Sequence, residues 1–139
     1  MPIRSCDIAD GISIFLPIKI INPHTGKELR TEGLVDTGAS SCAIPASMAT
    51  ILGHNLKSGR FGCVGTGNGD SESYGHTTTI SVYHPLDSDS GVEIFIMENV
   101  VIDYMPCLPI VLLGVDGFLS KFLLSIDYPN KKFSMVKGR

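Results

Sequence analysis

The stretch Gly33-Leu-Val-Asp-Thr-Gly-Ala-Ser-Ser41 places an acidic residue directly after an apolar pair and directly before a Thr-Gly turn. Leu34 and Val35 are typical of a buried strand, so the stretch predicts a carboxylate at the end of a strand. An ionised carboxylate is costly to bury unless it is paired. Asp36 therefore either caps a turn, as an isolated Asp-Thr-Gly triplet usually does, or is held in place for chemistry.

Around this stretch, apolar segments of strand length alternate with turn residues, which favours a mainly β protein. Two segments predict short helices: 44–56, with Pro45 in its first turn and Gly53 near its end, and 116–124. Residues 84–91 are polar and predict a loop, and Asn68-Gly69 predicts a tight hairpin turn. The predicted strands are a hairpin of 12–21 and 27–35, then 77–83, 92–102 as one long strand or a pair, 110–113, and two short strands within 125–136.

The totals describe one globular domain that spans residues 1–139. Hydrophobic residues make up 43% of the chain and charged residues 18%, which excludes a disordered protein. The net charge of -3 comes from 14 acidic and 11 basic residues spread along the chain. Because no Lys/Arg run is present to contact phosphates, we expect no nucleic-acid partner.

The cysteines and the apolar segments indicate where the protein works. Cysteines at 6, 42, 63 and 107 form no close pair, so we expect reduced thiols, no metal site and a cytoplasmic location. The longest apolar stretch, 108–126, contains Asp116 and Lys121, which argues against a membrane span. The first residues carry acids at 7 and 10 and no small-residue cleavage site, so we expect neither a signal peptide nor a membrane partner.

Other catalytic patterns fit the sequence poorly. The glycine-rich segment 62–69 lacks the glycine spacing, the preceding strand and the following helix of a dinucleotide-binding loop. Ser40 and Ser41 do not lie in a G-x-S-x-G elbow. A Cys42–His54 pair is more typical of structural residues than of a catalytic dyad. Most of the four histidines, at 24, 54, 76 and 84, lie at predicted turns or strand ends, and we expect solvated side chains for them.

Three features of the chain favour a catalytic Asp36. The pattern apolar-apolar-Asp-Thr-Gly-Ala-Ser occupies 34–40, the glycine-rich segment follows, and Leu112-Leu113-Gly114 comes before the second predicted helix. Together they resemble the retropepsin-like aspartic proteases, single-domain relatives of pepsin that work as homodimers. Residues 113–119 and 125–130 are more similar to the bacterial and retroelement-type members than to the viral ones. The resemblance implies a closed β-barrel and an aspartic endopeptidase without a cofactor.

The resemblance also assigns roles to individual residues. Asp36 is the catalytic residue, and Thr37, Gly38 and Gly114 support the active-site loop. Viral members often carry an acid where Ser40 stands, so recognition of the substrate backbone is expected to differ here. The residues expected to bind substrate are Ala39 and Ser40 beside the carboxylate and, in a flap that closes over the peptide, Gly65, Thr66, Gly67, Asn68 and Gly69.

This chemistry requires two carboxylates that share one proton. The ionised one takes a proton from water while the protonated one donates a hydrogen bond to the peptide carbonyl. The chain contains a single Asp-Thr-Gly, so the second carboxylate must come from a second copy related by a two-fold axis. We therefore expect a homodimer that hydrolyses peptide bonds.

Two alternatives remain open at the level of the sequence. A protease-like domain that dimerises or binds peptide without turnover has the same fold, although an idle domain has no need to keep its carboxylate. A small β-barrel binding module that contains the triplet by chance leaves Leu112-Leu113-Gly114 unexplained.

Overall fold

The first hairpin forms because an Ile-rich apolar run ends at the turn residues 22–26, after which the chain reverses and pairs with itself. In the computed structural model, which describes residues 13–66, 69–85 and 93–138, Leu16, Ile18 and Ile20 are buried and the residues between them are only partly covered. The helix and strands are β1 Phe15–Ile21, β2 Glu28–Val35, β3 Ala43–Pro45, α1 Ser47–Ile51, β4 Arg60–Thr66, β5 Gly69–Tyr83, β6 Glu93–Met105, β7 Val111–Leu113, β8 Phe122–Asp127 and β9 Lys132–Lys137.

Six of these strands close into a barrel. Their order is β1-β2-β7-β3-β6-β5, and β5 pairs back onto β1 to complete the ring. β4 lies outside the ring and pairs with β5, while β8 and β9 form a separate two-stranded sheet. The side chains that fill the barrel include Ile44, Ile80 and Tyr104, each fully buried. The prediction of a mainly β, closed barrel is confirmed.

The strand β7 lies between β2 and β3. Its pairing with β2 is parallel, with Val35 beside Leu113, and its pairing with β3 is antiparallel. The chain that leaves β2 at Asp36 must therefore pass around the end of β7 before it enters β3. This crossing brings the 36–42 loop next to the residues that follow Leu113, which positions the candidate site.

Both predicted helices are shorter than the sequence pattern indicated. The prediction for 44–56 is wrong at its start, because Pro45 belongs to β3, where it is buried and paired in parallel with Met105 of β6. Only 47–51 is α-helical, and 56–58 form a 3-10 turn. The prediction for 116–124 is also wrong, because Gly117 adopts a φ of +82° and 119–121 form a 3-10 turn. The rings of Phe118 and Phe122 pack against each other there, with centroids 5.3 Å apart.

The structure decides between the two predictions for 92–102: β6 is one long strand. A bulge interrupts its register with β5 between Thr78 and Ile80, where Asn99 adopts a φ of 52° and its N–H donates to Thr79 Oγ1. Asparagine tolerates this left-handed conformation better than most residues. Of the predicted loop 84–91, only His84 and Pro85 lie within the described residues. Within the described part of the chain, no helix is long and apolar enough to cross a bilayer.

Candidate active site

Asp36 lies where β2 ends, and its own backbone fixes it there. Its N–H donates to Leu113 O at 3.1 Å, which extends the parallel pairing of β2 and β7 by one residue. The carboxylate Oδ1 accepts the Gly38 N–H at 2.9 Å, and Asp36 O accepts the Ala39 N–H at 3.2 Å. These bonds form a compact turn that holds the half-buried carboxylate in one orientation.

A second set of backbone hydrogen bonds ties the same loop to the chain that follows β7. Val115 N–H donates to Ala39 O at 2.9 Å, and Asp116 N–H donates to Ser40 O at 2.8 Å. Ser41 and Asp116 form a parallel bridge directly afterwards. The loop is therefore held along both its sides, by Leu113 before the turn and by residues 115 and 116 after it.

Gly114 stands at the point where the two segments approach most closely. A Cβ built on it would lie 2.5 Å from Ser41 C and 2.8 Å from Ala39 O, so only glycine fits. Gly33 allows a similarly close approach between β2 and β7, since a Cβ built on it would lie 2.8 Å from Leu113 Cγ. Gly114 therefore passes close beneath the Asp36 loop.

The structure brings some of the predicted site residues together and places others on a separate hairpin. Thr37, Gly38 and Ser40 are exposed beside Asp36, and Ala39 is half-buried. The glycine-rich segment forms the end of the β4–β5 hairpin, where Thr66 pairs with Gly69 and Gly65 pairs with Asp70. Gly67 and Asn68 lie outside the described residues, as does part of the predicted Asn68-Gly69 turn.

The thiol of Cys42 lies at the base of the loop and is buried. Burial raises its pKa, and a backbone hydrogen bond with Gly114 opposes that shift only in part. The group therefore stays a neutral thiol at physiological pH, which does not suit a nucleophile. Its proposed dyad partner, His54, instead contacts the rings of His76 and Tyr104. The expectation of solvated histidines is wrong for His54 and His76, which are both partly buried.

A cleft of about 360 Å³ lies beside this loop, but Asp36 does not line it. Its walls include Ser41, Cys42, Val101 and Asp116, together with Arg60 of β4. Among the described residues, no group of three or more His, Cys, Asp or Glu side chains is arranged to hold a metal ion. We therefore assign the candidate site to the backbone-held carboxylate rather than to the cleft.

Sequence reasoning missed several residues that position the carboxylate. Val115 and Asp116 act through their backbone N–H groups, which no side-chain pattern reveals. Gly33 carried a usable signal, because a glycine inside an apolar strand indicates close approach of another segment.

Comparison with known proteins identifies the family. A family model described as aspartyl protease matches residues 24–116, which is more than half of the chain and includes both Asp36 and Gly114. A retropepsin-like aspartic protease from Rickettsia conorii has a similar structure over 98% of this chain and 97% of that one, with a TM-score of 0.62 and 24% identity. EIAV protease in complex with the inhibitor HBY-793 aligns with 81% of this chain and 89% of its own, with a TM-score of 0.46 and 16% identity. No curated protein sequence matches. The chain belongs to the aspartyl protease family and has the retropepsin-like fold, as the motifs at 34–40 and 112–114 predicted.

Proposed function

We propose that this protein is an aspartic endopeptidase that acts as a homodimer, with one Asp36 from each copy. The observation that carries the proposal is the way the structure holds Asp36. The Gly38 N–H donates to its carboxylate, and backbone hydrogen bonds hold the loop at both ends. A carboxylate that merely capped a turn has no need of the second attachment through Ala39 and Ser40. Membership of the aspartyl protease family supports the same function.

In the proposed reaction, two Asp36 side chains face each other across a two-fold axis. One is ionised and takes a proton from the attacking water, while the other is protonated and donates a hydrogen bond to the scissile carbonyl oxygen. Two carboxylates at such a short distance cannot both ionise easily and therefore share one proton, so the pair titrates as a unit. The proton gained from water then passes to the leaving amine, which leaves two free peptide ends and the pair ready for the next cycle.

The sequence supplies one such carboxylate per chain, since Asp-Thr-Gly occurs once in 139 residues. The exposed Thr37 side chain is free of a barrel role and suits a contact with its counterpart in the second copy. We assign Ala39 and Ser40 to the floor of the substrate cleft and the hairpin end at 65–69 to a flap that excludes water. The substrate is an extended peptide, which can pair with backbone groups as an added strand.

The first test is the variant Asp36→Asn. An amide keeps the size of the carboxylate and its acceptor for Gly38 N–H, but it cannot act as a general base. Because acid–base terms contribute about 10²–10⁴-fold each, cleavage of an unstructured protein should become undetectable at acidic and at neutral pH. The control is Glu28→Gln, which removes a carboxylate about 25 Å away at the far end of the same strand. Wild-type turnover by folded Asp36→Asn would reduce Asp36 to a turn residue.

The second test asks whether both carboxylates come from different chains. Wild-type protein is mixed with an equal amount of Asp36→Asn and allowed to exchange subunits, so that about half of the wild-type chains pair with a variant chain. Cleavage per wild-type chain should then fall to about half, and further as the variant is added in excess. Mixing with Glu28→Gln should leave the rate per chain unchanged. A rate per wild-type chain that does not change when Asp36→Asn is added contradicts an active site formed by two chains.

The alternative function is a protease-like domain that dimerises or binds peptide without turnover. It predicts a dimer that binds pepstatin or peptide but cleaves nothing at any pH. The free thiols of Cys42, Cys63 and Cys107 are typical of a reducing compartment, so we propose that the enzyme works in the cytoplasm.

A further inference from the structure

Three aromatic rings from three parts of the chain meet beneath the segment that leads into the β4–β5 hairpin. His54 follows α1, His76 lies on β5 and Tyr104 lies on β6. The imidazole centroids are 4.5 Å apart, and each lies 5.3 Å from the Tyr104 ring. Two partly buried histidines whose rings are in contact can make a local structure depend on pH.

Hydrogen-bond partners determine where each imidazole carries its proton. His76 Nε2 lies 2.8 Å from Leu56 O, which only accepts, so Nε2 carries the hydrogen. Asn22 Nδ2 donates to Leu52 O at 2.8 Å and also lies 3.4 Å from His54 Nδ1, so that nitrogen acts as an acceptor. Neutral His54 therefore carries its hydrogen on Nε2, which is buried and has no hydrogen-bond partner among the described residues.

Protonation of His54 is opposed from every side. A proton on Nδ1 would face the Asn22 amide donor, and the new charge would lie beside His76. Burial lowers the pKa of His54 most, and the positive charges of His76 and His24 lower it further. Among the described residues, the titratable groups placed against His54 are His76 of β5, Tyr104 of β6 and His24 of the β1–β2 turn, and none of these is acidic. The Lys27 side chain lies beside the preceding residue, Gly53.

The same cluster holds the connector, which we define as residues 52–59, against the barrel. Leu52 O accepts from Asn22 and from Thr25 Oγ1 at 3.2 Å, and Leu56 O accepts from His76. Gly59 packs so closely on His76 that a Cβ there would lie 2.6 Å from Nε2. The next residue begins β4, whose first pair joins it to the residue before His76.

We propose that the His54–His76 pair is an acid-sensitive latch, which holds the connector closed at neutral pH and releases it when the pH falls. In the open state the His54 imidazole reaches water and takes up a proton that the closed state disfavours. The connector then loosens at the base of the β4–β5 hairpin. The effect of this loosening on substrate access rests on the proposed function, in which that hairpin is a flap.

The direction follows from proton linkage. Because the pKa of His54 is lowered in the closed state, the open state binds more protons below the ordinary histidine pKa of about 6.5. The closed state is therefore favoured fully above that pH and loses stability as the pH falls below it. Each excess proton increases the opening equilibrium by up to about tenfold per pH unit.

Amide hydrogen exchange of the whole 139-residue chain tests the latch without any measurement of cleavage. The reporters are the amides of His54, Ser58 and Gly59, which donate to backbone carbonyls within or beside the connector. After correction for intrinsic exchange, their opening equilibrium should rise between about pH 7 and about pH 5, by up to about 25-fold for one proton that only the open state binds. The amides of β5 around the buried Ile80 serve as the internal reference for global unfolding.

Two variants remove the titrating group in different ways. His54→Asn keeps an acceptor for Asn22, and His54→Phe keeps a ring against Tyr104. Whatever their absolute stability, both should flatten the pH dependence of connector exchange, while His84→Gln, which changes a histidine outside the cluster, should keep it. His76→Gln keeps a donor for Leu56 O and should weaken the dependence. A flat wild-type profile, or a wild-type slope in both His54 variants, overturns the latch and leaves the proposed protease function untouched.

Discussion

Replacing Gly114 by alanine tests how the Asp36 loop is held. The added methyl carbon would lie 2.5 Å from Ser41 C and 2.8 Å from Ala39 O, and it would also collide with Ser41 O. All three are backbone atoms, so no side chain can rotate to make room. The loop must move away from β7, and Ala39 O and Ser40 O are the acceptors that bind the far segment there.

The expected cost has two parts. Inserting a methyl group into a well-packed site costs about 1–3 kcal/mol, and this site belongs at the upper end because three backbone atoms are hit. Weakening one loop hydrogen bond adds about 1 kcal/mol. We therefore expect the free energy of unfolding to fall by about 3–4 kcal/mol. With a urea m-value of about 1–3 kcal/mol/M, the unfolding midpoint should fall by at least about 1 M.

Urea unfolding followed by far-UV circular dichroism is the appropriate assay, because the chain contains no tryptophan. The matched control is Gly26→Ala, where φ is +76° and a Cβ meets nothing within 4 Å. That variant should lose only about 1 kcal/mol, from backbone conformation alone. If Gly114→Ala unfolds at the same urea concentration as Gly26→Ala, the close approach of the two segments does not constrain the loop.

A further variant and an alkylation measurement examine the core and the thiols. Tyr104→Phe removes the 3.0 Å contact with Thr78 Oγ1 and should lower the free energy of unfolding by about 1 kcal/mol. Burial raises the pKa of Tyr104 to about 12, and an unfolded tyrosine ionises near 10, so wild-type stability should fall between about pH 10 and about pH 12. Urea midpoints measured across that range should fall less in Tyr104→Phe, and an equal fall contradicts the assignment. Alkylation of native protein at about pH 8 should modify exposed Cys63 and Cys107 at least about tenfold faster than buried Cys42, as peptide mass spectrometry can measure, and equal rates contradict the burial of Cys42.

The first hairpin was predictable because its signal is local. The buried residues Leu16, Ile18 and Ile20 alternate with partly buried ones, and the strand ends at the turn residues that follow. The position of β7 was not predictable in the same way. Its three residues pair with β2 and β3, which lie far away in the chain, and nothing in Val111–Leu113 itself specifies those neighbours. Long-range pairing also overrode the helical pattern at Pro45.

The site and its surroundings also contain residues that the sequence could predict and contacts that it could not. Asp36, Gly38 and Gly114 were predicted because their motif resembles that of a known family, and the structure shows why position 114 requires glycine. The contact of His54 with His76 had no sequence signal. It depends on the packing of a connector against two strands, so each histidine alone looked like an ordinary turn or strand-end residue.

The way the Asp36 loop is built separates the position of the carboxylate from the identity of the side chains around it. The hydrogen bonds that tie the loop to Leu113 and to residues 115 and 116 join backbone atoms. Substitutions at the exposed Thr37 and Ser40 can therefore alter what the loop contacts without moving Asp36. Substitutions at Gly33 or Gly114 have the opposite effect, because they leave the exposed surface unchanged and displace the frame beneath it. For the proposed endopeptidase, we therefore expect changes in substrate preference from the exposed loop positions and loss of activity from the buried glycines.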